Sequence, residues 1–203
     1  MSDDTSGWDE FASGWDENPG ARAYAAAAYE SLTEVLADRH RQLGGARVLD
    51  FGCGTGLLTD QMAEHAVSID AVDTSEAMLD VLREKIDRRG WTHVHPMTDL
   101  PTGRSRYDLV VASSVCSFLD DYPATARQLV ALLRPDGVFV QWDWEADENE
   151  VDSGGLSRST VSNSLAAVGL EQVVVETAFS VAVDGDRMEP LIGVGTKTRS
   201  ATP

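Results

Sequence analysis

The sequence predicts an α/β fold: a mostly parallel sheet with helices on both faces and an antiparallel last strand. Three observations carry that prediction. Apolar runs alternate with helical patterns along the chain. The runs "DLVVAS" and "GVFVQW" are apolar throughout rather than at every second residue, and the first run, "VLD", opens through Phe51 into the glycine loop "GCGTG" before a helical pattern. A strand apolar on both sides needs cover on both sides, which the crossover helices of a parallel sheet supply.

The elements follow in order. Asn18 and Pro19 read as an N-cap with proline at the first helical position, and Tyr24, Ala28, Leu32, Val35, Leu36 and Leu43 recur at helical spacing up to Gly44-Gly45. Next come strand 46–50, helix 55–65, strand 67–72 and helix 75–89, which carries Met78, Leu79, Leu82 and Ile86. Strands 92–96 and 107–112, helix 122–133, strand 137–142 and helix 159–168 complete the alternation. "RPDG" at 134–137 reads as a turn that ends one helix and starts the next strand. The finish differs, because "LEQVVVETAFSVAV" and "EPLIGVGTKT" are separated by the turn "DGD" with no helix between them, so the last strand should run antiparallel. That makes a seven-stranded sheet.

The bulk numbers bound the function. A chain of 203 residues with 42% hydrophobic content fits one domain, which can bury on the order of 70% of its unfolded surface. Its net charge of −18, from 16 basic against 34 acidic residues, opposes nucleic acid and anionic membranes, whose recognition rests on clustered Lys and Arg. A small-molecule partner is expected instead. Cys53 and Cys116 make neither a disulfide framework nor a metal set, so no metal is expected. The chain holds no apolar stretch near the ~20 residues of a membrane span and starts without an export-type leader, which points to the cytoplasm. Acidic residues gather at Asp3 to Glu17 and Asp143 to Asp152, both expected to be solvated; the first stretch carries Trp8, Phe11 and Trp15, aromatics that should dock.

The chemistry lies in the loops at the carboxyl ends of the strands, where open parallel sheets bind ligands. Gly52, Gly54 and Gly56 alternate in one loop, more than a single turn requires, so another group should lie against it. Asp73 ends the second strand 21 positions after Gly52, where a carboxylate suits a ribose diol; alternatively it is an N-terminal charge on helix 75–89. Asp99 could accept from an adenine amino group, or start a turn before Pro101. Trp142, Asp143 and Trp144 end the fifth strand and either wall a substrate pocket or pack under the acidic 145–152 loop. His93 and His95 alternate in the third strand and fit surface or helix-packed positions, the alternative being that one faces the pocket.

Four ordered segments, "VLDFGCGTG", "VDTSEAML", "YDLVVASS" and "LLRPDGVFV", resemble the class I S-adenosylmethionine-dependent methyltransferases, in particular the UbiE-like or type 11/12 group. The resemblance spans nearly the whole chain. It implies a Rossmann-like methyltransferase sheet in a single domain over 1–203, with 46–198 as the core and 1–45 as an acidic, aromatic segment and leading helix that form a possible lid. It also implies S-adenosylmethionine as cofactor and S-adenosylhomocysteine as product. Asp50, Gly52, Gly54 and Gly56 would border the methionine part, Asp73 the ribose, Met78 the adenine flank, and Asp99 and Leu100 the adenine edge and face. Ser113 and Ser114 would approach the reaction centre, and Cys53, Thr74 and Thr98 join the cofactor set.

Asp143 and Tyr24 are the candidate catalytic residues, in positioning roles, and Trp8, Trp15, Tyr24, Cys116, Trp142, Asp143 and Trp144 the candidate substrate pocket. Methyl transfer from a sulfonium is downhill, so holding the nucleophile in line can suffice. The pattern departs from many relatives, which carry a His-His pair where Ser117 and Phe118 stand. The rival readings are an NAD(P)-dependent oxidoreductase, which would want glycine at Leu57, and a cofactor-binding module whose catalytic pocket has decayed.

Overall fold

Helix boundaries follow the caps that the sequence carries. The computed structural model describes residues 6–103, 106–146 and 154–198. A short α1 (Ser6–Asp9) and a 3-10 turn (Ala12–Glu17) lead into α2 (Pro19–Asp38), whose first turn is capped by Asn18 Oδ1 accepting from the Ala21 amide at 3.1 Å. The helix ends before the expected Gly44-Gly45. His40 adopts a left-handed φ of 55°, its amide donates to Ala37 O, and the Arg41 amide reaches back to Leu36 O at 2.7 Å, which closes the last carbonyls. Leu43 is buried all the same, from the loop beyond.

The alternation then runs β1 (Arg47–Phe51), α3 (Leu57–Ala63), β2 (Ser68–Val72), α4 (Glu76–Arg89), β3 (Val94–Met97) and β4 (Tyr107–Ser113). It continues through a 3-10 turn (Cys116–Phe118), α5 (Tyr122–Leu132), β5 (Leu133–Asp143), α6 (Arg158–Ala167) and β6 (Leu170–Thr177). A hairpin of β7 (Val181–Val183) and β8 (Asp186–Met188) precedes β9 (Leu191–Lys197).

Seven strands form one sheet in the order β3-β2-β1-β4-β5-β9-β6. The pairs among β1 to β5 are parallel, and β9 runs antiparallel between β5 and β6, as the helix-free finish predicts. Helices α2, α3 and α4 cover one face through residues such as Leu32, Met62 and Leu79, while α5 and α6 cover the other through Leu129 and Leu165. The order reverses between β1 and β4, and that switch point is where such sheets leave a crevice.

Two further expectations change. "RPDG" lies inside β5 as a bulge: Tyr107 pairs with Leu133 but Leu109 with Val138, and Asp136 absorbs the excess chain at a φ of 64°. The long strand expected from Leu170 to Val183 breaks after Thr177, because the Ala178 amide turns to Pro190 O. The remainder folds back across Asp184-Gly185, both at positive φ, as a two-residue hairpin. No described helix is long and apolar enough to cross a membrane, and the described residues hold no His/Cys/Asp/Glu group suited to a metal. Residues 1–5 and the acidic stretch 147–153 lie outside the described residues.

Candidate active site

Loops at the carboxyl ends of β1, β2 and β4 meet the N-terminal segment around a cavity of about 600 Å³. All three glycines of the β1 loop are left-handed, with φ of 72° at Gly52, 53° at Gly54 and 81° at Gly56. They do different work. A Cβ on Gly52 would fall 2.5 Å from the Val115 side chain, and one on Gly56 2.5 Å from Leu82 Cδ1, so these two serve close packing within the protein. A Cβ on Gly54 would meet nothing nearer than Met78 Sδ at 4.0 Å, and Gly54 lines the cavity. Its open face is the surface a ligand can lie against.

The loop is not a phosphate cradle. The Gly52 and Cys53 amides donate to Val72 O, the Gly56 amide to Cys53 O, and the Gly54 amide to Asp73 Oδ2 at 2.7 Å. These donors are spent within the protein, and the charges beside them are negative. Asp50, 1% exposed, accepts from Thr59 Oγ1 at 2.5 Å. Burial, with a smaller contribution from nearby Asp73, pushes its carboxyl up to about 7. Asp73 is raised too, chiefly by burial, against the opposing hydrogen bonds from the Ser75 and Gly54 amides. The helix-start reading of Asp73 holds: its oxygens accept from the Gly54 and Ser75 amides and so organise the glycine loop and the start of α4, and Asp73 also lines the cavity. Burial together with Asp50 and Asp73 holds the Cys53 thiol protonated.

The structure brings Cys53, Thr74, Met78, Ser113 and Ser114 to the cavity along with Asp50, Gly52, Gly54 and Asp73. Ser114 stands at the end of β4 in a left-handed conformation, φ 53°, fixed by its amide donating to Trp142 O at 2.8 Å. Trp8, Trp15, Tyr24 and Trp144, four of the candidate substrate-pocket residues, also line the cavity.

Other expected residues lie elsewhere. Gly56 is the N-cap of α3 and is absent from the wall. Thr98, Asp99 and Leu100 stay outside the cavity: Thr98 Oγ1 donates to Asp99 Oδ2, Asp99 is exposed, and Leu100 packs on the α5 side of the sheet. Trp142 is fully buried in the core under α2, its indole Nε1 donating to Ser31 Oγ at 3.2 Å, because it lies within β5 on the sheet face that α2 covers, whereas Trp144 stands beyond the strand's end. Cys116 and Asp143 are buried behind the wall. Asp143 accepts from the Ser117 and Trp144 amides, which makes it a brace for the turn after β4, with its pKa raised chiefly by burial. His93 bonds Ala63 O on α3, the helix-packed alternative.

The sequence reading missed the anchors of the N-terminal segment. Asp16 accepts from Thr55 Oγ1 at 2.7 Å and pairs with Lys85 at 2.8 Å, and Asp9 accepts from Ser75 Oγ. Lys85 is 4% exposed. Its signal was legible: a lysine on the apolar row of α4 needs a partner to be buried. Phe118, edge-on to Trp8 at 5.3 Å, and Met188 on the unforeseen hairpin also line the cavity.

The family model described as a methyltransferase domain matches residues 49–139, the segment that carries β1 to β5. A ubiquinone biosynthesis O-methyltransferase of Bradyrhizobium diazoefficiens is 29% identical over 134 residues, 65% of this chain and 48% of that protein. The chain spans about half the length of the curated relatives it matches. Among solved structures, a methyltransferase in complex with the Trm112 activator from Haloferax volcanii aligns with a TM-score of 0.73 at 16% identity over 99% of both chains. An S-adenosylmethionine-dependent methyltransferase from Aquifex aeolicus aligns at 0.66 and 18% identity, covering 95% of this chain and 98% of its own. Motif order and strand order agree with these matches: residues 49–139 match the methyltransferase-domain model, and the chain carries the fold of the class I S-adenosylmethionine-dependent methyltransferases.

Proposed function

We propose that the protein transfers a methyl group from S-adenosylmethionine to a small-molecule acceptor. The observation that carries this reading is the open face of Gly54 in a cavity lined by buried Asp50 and half-buried Asp73, in a loop whose amides are already used. A pyrophosphate would want those amides free and those carboxylates absent, whereas a cation gains from Asp50 and a sugar diol from Asp73. When bound, the cofactor supplies a methyl group on a sulfonium, an electrophile that needs no metal.

The chain's own residues bind, orient and exclude water. Gly54 offers backbone surface, Asp73 accepts from ribose hydroxyls, Met78 and Thr74 flank the adenosine, and Ser113 and Ser114 reach the reaction centre. Tyr24 and Trp144, tilted against one another at 5.6 Å, place the acceptor, while Asp143 holds the turn that carries Phe118. Residues 6–18, pinned through Asp9 and Asp16 with Trp8 and Trp15 on the cavity, act as a lid. Incubation with methyl-labelled S-adenosylmethionine and a panel of small metabolites tests the reading: label should pass to at least one acceptor. Transfer to none by a protein that binds the cofactor would favour the decayed module.

A further inference from the structure

The cavity joins an aromatic wall to an electrostatic bias. Trp8 stands edge-on to both Trp15, at 6.0 Å, and Phe118, at 5.3 Å, and Tyr24 contacts Trp144 and Phe179 at 5.6 and 5.2 Å. Among the described residues no Arg, Lys or His side chain lines the cavity, while Asp50 and Asp73 do. Several cations in the elements around it are engaged elsewhere, and Arg22 of α2 is exposed and outside the cavity wall. Lys85 is paired with Asp16, Arg83 with Glu76 and Asp80, Arg89 with Asp60, and Arg158 with Glu145.

One neutral polar group stands out. Tyr24 is 7% exposed, its hydroxyl has no hydrogen-bond partner within the protein, and it faces Ser113 and Ser114, which also line the cavity. A buried hydroxyl without a partner is costly, and a ligand group that bonds to it removes the cost. Burial raises the Tyr24 pKa well above its usual range, so the group stays protonated and offers a donor.

We propose that the acceptor subsite takes a ring-bearing molecule that is uncharged or cationic, with its polar atom at Tyr24, Ser113 and Ser114, and rejects carboxylate and phosphate acceptors. This rests on the methyl-transfer reading, which makes the neighbouring half of the cavity the cofactor's. An anion would enter desolvated into a cavity whose described lining supplies two carboxyl groups and no basic side chain, whereas flat apolar rings match the aromatic edges and faces.

Three probes that share one naphthalene ring test the proposal: 2-naphthylmethanol, 2-naphthylmethylamine and 2-naphthoate, titrated by calorimetry into the full chain, both unloaded and saturated with S-adenosylhomocysteine. The alcohol and the amine should bind at least tenfold more tightly than the carboxylate. Tyr24→Phe should weaken the alcohol three- to tenfold and leave 2-methylnaphthalene unchanged. Equal or tighter binding of the carboxylate, or no binding of any probe, would overturn the proposal, and the comparison in the native protein stands if the variant does not fold. Failure of S-adenosylhomocysteine to bind would instead remove the methyl-transfer reading, while the ranking in the unloaded protein still judges the cavity's chemistry.

Discussion

Replacing Asp50 by asparagine isolates what a carboxylate costs in the glycine loop. Asp50 is buried, bonded by Thr59 Oγ1, and held up to about 7 from an ordinary value of 3.8. Between those two values the unfolded chain has released the proton and the folded chain has kept it. The unfolded state thus binds fewer protons there, and stability falls as pH rises through that window. At 1.36 kcal/mol per unit the full effect is about 4 kcal/mol, of which ~2–3 kcal/mol develops between pH 5 and pH 8. An amide keeps an oxygen for Thr59 and does not titrate. Urea unfolding of the cofactor-free protein and of Asp50→Asn, at both pH values and constant ionic strength, should show the variant gaining ~2–3 kcal/mol on the native protein as pH rises. Parallel pH profiles would refute the reasoning. The same substitution should narrow any preference for the cationic cofactor over its neutral thioether product, since a site that tolerates this cost is matched to a cation.

Three further outcomes follow from the geometry. Asp73→Ala should weaken S-adenosylmethionine binding by about 10- to 150-fold in calorimetry, from the loss of charge-assisted bonds worth ~1.5–3 kcal/mol; unchanged affinity would leave Asp73 only its bonds to Gly54 and Ser75. Gly54→Ala should cost about 1–2 kcal/mol in urea unfolding, from its left-handed backbone alone, yet weaken the cofactor at least tenfold, because its Cβ would enter open space rather than the core. Deleting residues 1–18 should leave cofactor affinity within a few-fold and abolish turnover on an identified acceptor; full turnover would sink the lid.

The sheet was legible in the sequence because strands buried on both faces, such as Tyr107–Ser113, cannot be anything but central, and because Asn18 precedes the helix it caps. The glycine loop and Asp73 were legible for the same local reason. What escaped depends on where side chains point and what lies across space. Trp142 and Trp144 sit two residues apart near the end of β5, and one is core while the other lines the cavity. Asp143 looked like a substrate contact and is a brace, since only the fold reveals the Ser117 amide beside it. The partnership of Asp16 with Lys85 joins residues 69 positions apart, and His40 ends α2 in a conformation usually left to glycine or asparagine. Each is a tertiary decision that no local pattern encodes.

The most direct test of the central claim is calorimetric titration of the full chain with S-adenosylmethionine, S-adenosylhomocysteine and NAD in turn. One site per chain for the first two, lost together in Gly54→Ala, and no heat with NAD at millimolar concentration, is the result the account predicts. Binding of NAD with neither adenosyl compound would contradict it.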